Sequence, residues 1–193
     1  MAQPSLEAPA TTGPVLDRVV GIDPGLKVTG YAVVEPSPRG AFVVEAGVIR
    51  PGPGCKVLGD RLAWIHRGLV EVLEAFPPVA VALEQVHSHV NYPRTAILMA
   101  HARGVIMLAA AQRGTPVFGY AATRIKKTLT GSGRAPKSQV QHAIMAELGL
   151  DRLPEPHDVA DACAIALCHY HISRNRRLLQ DPGTGLRLPG TSS

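Results

Sequence analysis

The run VAVALEQV, residues 79–86, is apolar on both of its faces until Glu84 interrupts it. A strand without a polar face needs cover on both sides, so this stretch predicts the central strand of a sheet held between helices. The flanking segments supply that cover. Upstream, GDRLAWIHRGLVEVLEAF (59–76) places Leu62, Ile65, Leu69, Val72, Leu73 and Phe76 on one helical face, and Pro77-Pro78 ends it. Before it, RVVGIDPG (18–25), VTGYAVVE (28–35) and AFVVEAGVI (41–49) are short β-rich segments separated by turn residues, an antiparallel start of three strands. Downstream come a helical pattern from about Pro93 to Gln112, a short strand PVFGY (116–120), and helices over KSQVQHAIMAEL (137–148) and HDVADACAIALCHYHISRN (157–175). Strands first, then helices alternating with strands, predict an α/β layered fold with a mixed sheet, and no internal repeat is visible.

At 193 residues, with 46% hydrophobic and 18% charged, the chain has the size and composition of one globular domain. Residues 1–17, rich in Pro, Ala and Thr, read as a disordered arm, residues 18–178 as the domain, and residues 179–193, ending in DPGTGLRLPGTSS, as a flexible tail. Cys55, Cys163 and Cys168 form no disulfide framework, which suits a reducing cytoplasm. The N-terminus lacks the apolar stretch of a secretory signal, and no apolar run is expected to reach the length of a membrane span. A soluble, cytoplasmic protein without a membrane partner is the expectation.

Four acids stand out. Asp23 closes the first strand, before Pro24-Gly25, where an Asp often only caps a turn. Glu84 ends the most apolar strand, where an ionised carboxylate is costly unless a cation or donors meet it. Asp158 and Asp161 are three residues apart, on one helical face that continues through Ile165, Cys168 and Ile172. The positive field of the helix N-terminus accounts for Asp158 on structural grounds alone. Asp161, the only polar side chain between Val159 and Cys168, needs a partner of its own. Arg152 is the only base nearby in sequence, so a metal ion is the favoured partner. An all-carboxylate set without cysteine points to Mg2+ or Mn2+ rather than zinc. His157 is read as a solvent-exposed residue at a helix start, with ligand or base as the other reading. Four acids around one point repel unless roughly two divalent ions lie between them, about 3.5–4 Å apart, the arrangement used for in-line attack on phosphodiesters.

The net charge of +5 is unevenly spread. From Gln85 to Ala146 there is no acid, while Arg94, Arg103, Arg113, Arg124, Lys126, Lys127, Arg134 and Lys137 supply eight positive charges. The rest of the chain, with twelve basic and fifteen acidic residues, sums to −3. All the excess positive charge therefore lies in one continuous third, as on a polyanion-binding surface, although a solvated basic face has the same composition. The low aromatic content, 4%, argues against a general single-strand binder built on stacking platforms.

The segments GIDPGLKVTGYAVVE, LEQV followed by RGVIMLAAA, KSQVQHAI and HDVADACAIALCHYH closely resemble, in order and spacing, the bacterial Holliday-junction resolvases of the RuvC family. The likeness runs from about Arg18 to Ser173. It implies an RNase H-like fold with a mixed five-stranded sheet and helices on both faces. It also implies a homodimer, and an endonuclease making paired nicks across a four-way DNA junction in recombination and repair. The family's catalytic, metal-binding acids map onto Asp23, Glu84, Asp158 and Asp161. Some members carry His in place of Asp158, which keeps His157 in view. The family's basic positions map onto Lys126 and Lys137, with Lys127 and Arg134 as neighbours. Resolvases of this type often place a base-stacking Phe three residues after the strand Glu. Here that position is His87, with Tyr92 nearby, and an imidazole also has a stacking face. RuvA and RuvB, the family's branch-migration proteins, become possible partners.

Three rivals remain at this stage: an RNase H-like nuclease acting on RNA, an actin-like or sugar-kinase ATPase, and a non-catalytic junction binder whose acids are structural. The second needs duplicated halves and a much longer chain.

Overall fold

In the computed structural model the described residues are 17–85 and 93–180. The arm through residue 16 and the tail from residue 181 lie outside them. Strands β1 (Val19–Asp23), β2 (Thr29–Ser37) and β3 (Gly40–Ile49) are followed by helix α1 (Leu58–Ala75) and strand β4 (Ala80–Glu84). Then come α2 (Pro93–Ala111), β5 (Val117–Tyr120), α3 (Ala122–Thr130), α4 (Lys137–Leu148) and α5 (His157–Gln180), which extends two residues into the stretch read as tail.

The five strands form one sheet in the order β3-β2-β1-β4-β5. The first three pair antiparallel, while β4 runs parallel to both β1 and β5. The sheet is therefore mixed, as expected, and β4 lies inside it. Two separate cores explain the apolar character of β4 on both faces. Ala82, with Val19, Ala32 and Val34, packs under α5, α3 and α4, whereas Val81 and Leu83, with Val20, Ile22 and Val33, pack against α1 and α2.

Helix α5 lies unusually close to the sheet. Residues Ala162 through Tyr170 are all buried, and small residues bring the backbones together. A Cβ on Gly21 of β1 would stand 2.5 Å from the Ala166 amide nitrogen and 2.7 Å from the Ala166 Cβ. One on Gly30 of β2 would stand 2.5 Å from the Asp158 carbonyl carbon. No side chain fits at either position without moving the helix.

Helix α2 corrects the expectation that no apolar run has membrane-spanning length. Its segment Arg94–Ala111, 18 residues with mean hydropathy 1.2, is long and apolar enough by length and composition to cross a membrane. Alanines and long aliphatics outweigh Arg94, His101 and Arg103. Ala102, Ile106, Ala109 and Ala110 bury one face against the sheet and α1. Only 22% of the segment is buried, and Ile97, Met107 and Leu108 lie exposed on the other side.

The α5 contact gives a stability prediction. Gly21→Ala should destabilise the fold by about 3 kcal/mol or more in urea unfolding, because overpacking a backbone contact cannot be relieved by a rotamer change. Gly59→Ala, in α1 with nothing within 4 Å of the new Cβ, should be neutral or stabilising by about 0.5–1 kcal/mol. Equal effects of the two substitutions would mean that α5 does not need the missing Cβ.

Candidate active site

Strand parity and register bring the first two acids together. Gly21 pairs with Ala82 and Ile22 with Leu83 across the parallel β1–β4 ladder, so Asp23 and Glu84 follow side by side at the strands' carboxyl ends. Both point to the α5 face, since alternate residues Ile22 and Leu83 face the other core. The carboxyl ends of parallel strands, beside the point where the sheet changes direction, are where open α/β sheets place ligands. Helix α5 begins directly above, with Asp158 and Asp161 in its first two turns.

The four acids share one electrostatic environment. The Asp23 carboxyl is pushed up from 3.8 to about 7, first by burial and then by the negative charges of Asp161, Glu84 and Asp158, with Lys137 pulling the other way. A buried acid facing three like charges keeps its proton unless positive charge arrives. Lys137 supplies some: its Nζ lies 3.4 Å from Asp161 Oδ2. That pair is largely exposed (58% and 40% for the two side chains) and contributes little stability. His157 Nε2 lies 3.8 Å from Asp158 Oδ2, with the ring 70% exposed, as expected for a residue at a helix start. Asp158 is the more enclosed partner.

A cleft of about 260 Å3 joins acids and bases. Glu84 and Asp161 line it together with Lys126 of α3 and Lys137 at the start of α4, over an apolar floor that includes Ile125 and Ile165. Lys127 and Arg134 are exposed and lie outside that lining. His87 and Tyr92 fall outside the described residues. A larger cavity, about 710 Å3, is lined by Val19 and Ala80 from the opposite end of the sheet, by β5 as far as Gly119 and Tyr120, and by His169, and none of the four acids lines it.

The donors fit a hard divalent cation: all are carboxylate oxygens, and Asp23 retains a proton in default of positive charge. Among the described residues no three His, Cys, Asp or Glu side chains stand close enough to close around one ion. The acids are thus gathered within one field but not drawn into a finished ligand shell.

Helix α3 is the element the sequence reading passed over. Its nine residues offer only Ile125, buried, and Leu129, half-buried, as an apolar stripe, and the clearest signal is Gly131, which ends it in the left-handed conformation. It carries Lys126 into the cleft.

The family model described as Crossover junction endodeoxyribonuclease RuvC matches residues 19–169. The protein of that name from Rhodopirellula baltica is 52% identical over 157 residues, covering 81% of this chain and 88% of that one. The structure of Thermus thermophilus RuvC superposes with a TM-score of 0.76 at 33% identity, covering 82% of this chain and 96% of that one. The same protein in complex with a Holliday junction substrate gives a TM-score of 0.76 at 34% identity, with the same coverage.

The Asp23 environment sets a pH dependence. Between pH 3.8 and about 7 the unfolded chain has released the Asp23 proton while the folded protein keeps it. Stability from this group therefore falls as pH rises through that window, by up to about 4 kcal/mol. Asp23→Asn should raise the Tm of the metal-free protein at pH 8, with the gain shrinking toward zero near pH 4. Mg2+ should raise the wild-type Tm at pH 8 more than that of the variant. A variant that melts below wild type at pH 8 contradicts the crowding of charge around Asp23.

Proposed function

The chain belongs to the RuvC family of crossover junction endodeoxyribonucleases, and from that premise we propose how its own residues divide the work. The protein is a metal-dependent endonuclease that resolves four-way DNA junctions. In our reading it does so by paired, symmetrical hydrolysis of phosphodiesters, within an RNase H-like domain.

Asp23, Glu84, Asp158 and Asp161 would hold Mg2+, with Mn2+ as a substitute and two ions per site. When bound, the ions supply positive charge for the attacked phosphate and lower the pKa of the attacking water. The residues themselves do the positioning. Asp23 and Glu84, fixed at adjacent strand ends, set one side of the site, and α5 sets the other. Lys126 and Lys137 line the same cleft as Glu84 and Asp161 and would hold the scissile strand by its phosphates. Lys137, resting on Asp161 in the free protein, would transfer to a phosphate when DNA enters. Lys127 and Arg134, exposed nearby, extend the basic surface, and His87, by its sequence position three residues after Glu84, would take the role of a base-stacking side chain.

The observation that carries this reading is the convergence of four acids from β1, β4 and α5 beside two lysines. Asp161→Asn and Glu84→Gln should each keep junction binding, because the basic wall is intact, and lose cutting by roughly 10³-fold or more, about 4 kcal/mol of barrier. Nicking by either variant at the wild-type rate would refute the assignment. Running the wild type on a four-way junction, a linear duplex and an RNA hairpin, each with Mg2+, Mn2+ or chelator, separates the DNA-junction reading from an RNA nuclease.

The homodimer belongs to the same proposal. A junction of approximate two-fold symmetry needs two sites for two incisions, and α2 offers an unused face. Ile97, Met107 and Leu108 are 58%, 43% and 52% exposed, and a contiguous apolar patch open to water is what an interaction surface presents. With Ala100 and Gly104, both exposed, they form a stripe at helical spacing that a second copy of α2 would cover. We also assign the protein to the cytoplasm, which its free cysteines suit, and take the RuvA–RuvB complex as its partner on family grounds. Leu108→Glu should convert the dimer to a monomer in analytical ultracentrifugation and replace paired incisions by single nicks. A variant that sediments as wild type places the interface elsewhere.

A further inference from the structure

We propose that Arg103 and Gln85 form a second phosphate-binding subsite at the outer edge of the sheet, one residue beyond Glu84, taking a backbone phosphate of the DNA. Arg103, on α2, is half-buried, and its Nε is enclosed with no hydrogen-bond acceptor. No ion pair reaches its guanidinium among the described residues, and the sequence from Gln85 to Ala146 holds no carboxylate that could provide one nearby in the chain. The enclosed Nε is itself out of an anion's reach, but a guanidinium that already lacks one acceptor gains charge compensation when an anion meets its outer Nη groups.

The surroundings are shaped for such an anion. Gly119 of the edge strand β5 is exposed, and a Cβ there would stand 3.0 Å from Arg103 Nη2, 3.2 Å from Gln85 Cγ and 3.4 Å from Gln85 Nε2. The two side chains therefore lie across the same bare residue, which has no side chain to displace them. Gln85 is held in place by its backbone, whose amide donates to the Tyr120 carbonyl at 2.8 Å, and by its Nε2, which donates to the Gly119 carbonyl at 3.3 Å. Its second amide hydrogen remains to be offered. A planar guanidinium beside an amide N–H is the donor geometry that matches phosphate oxygens.

The place is as telling as the chemistry. Gly119 pairs with Leu83 and Tyr120 with Glu84, so the guanidinium lies level with the end of the catalytic strand. Lys126 and Lys137 stand on the α5 side of the sheet, whereas Arg103 comes from α2 on the opposite face. Phosphate contacts on both faces would hold a strand across the site rather than along one wall. The subsite rests on the reading of this protein as a DNA nuclease.

The test measures binding of a labelled four-way junction in chelator across a salt series, alongside thermal melts. Arg103→Gln should weaken binding about tenfold and lower the slope of log K against log [salt] by about one. Arg103→Lys, which keeps the charge, should keep the slope. Gly119→Glu faces the guanidinium with a carboxylate and should reproduce the reduced slope with a Tm at or above wild type. A merely structural Arg103 would change Tm without changing the slope. If Arg103→Gln does not fold, Gly119→Glu decides. An unchanged slope in the folded variants overturns the subsite. Reduced slopes in Arg103→Gln and Gly119→Glu, with a wild-type protein that cuts no junction with Mg2+, would support the subsite and defeat the nuclease reading instead.

Discussion

Four carboxylates are brought together against their own repulsion, and the packing of α5 on the sheet is what brings them there. Asp23 and Glu84 are neighbours because two parallel strands end level. Asp158 and Asp161 join them because Gly21 and Gly30 leave no side chain between helix and strands. The cost appears at Asp23, whose carboxyl is driven up to about 7 by burial and by three negative neighbours. A fold that maintains such a site stores an affinity for positive charge. Electrostatic preorganisation of this kind acts most strongly where charge develops at a reacting phosphate.

The basic residues complement that well instead of filling it. Lys137 reaches Asp161 from the exposed side, and Lys126 lines the same cleft without an acid partner among the described ion pairs. A lysine held loosely by one carboxylate is available to a phosphate at small cost, because exposed ion pairs are weak. In the proposed reading the acid pocket serves the chemistry and the basic wall the grip, with Lys137, paired to Asp161 and lowering the Asp23 carboxyl, as the link between them.

Much of the site was legible in the sequence, for a definable reason. Glu84 and Asp161 each break a run that is otherwise apolar, and a charge in such a run has to be satisfied by something. Strand alternation and the helical period then fix the faces they share. The mixed sheet could be read from VAVALEQV and its neighbours because burial on both faces leaves no polar alternation. Helix α3 was not legible, since nine residues with one stripe position buried carry too little periodicity. The exposed apolar side of α2 was missed because small and aliphatic residues surround that helix, and periodicity cannot say which face is covered. Arg103 was visible only as one of eight basic residues, since the enclosure of its Nε and the approach of its Nη2 to Gly119 exist only in the folded chain.

The most direct test of the central claim is a 13C-NMR titration of the Asp23 carboxyl, assigned by loss of its signal in Asp23→Asn, without divalent ions and with saturating Mg2+. The account predicts a midpoint near 7 in the metal-free protein, falling by more than one pH unit when the cation binds. A midpoint close to 3.8 in both samples would show that the four acids do not share a field, and the account would be contradicted at its root.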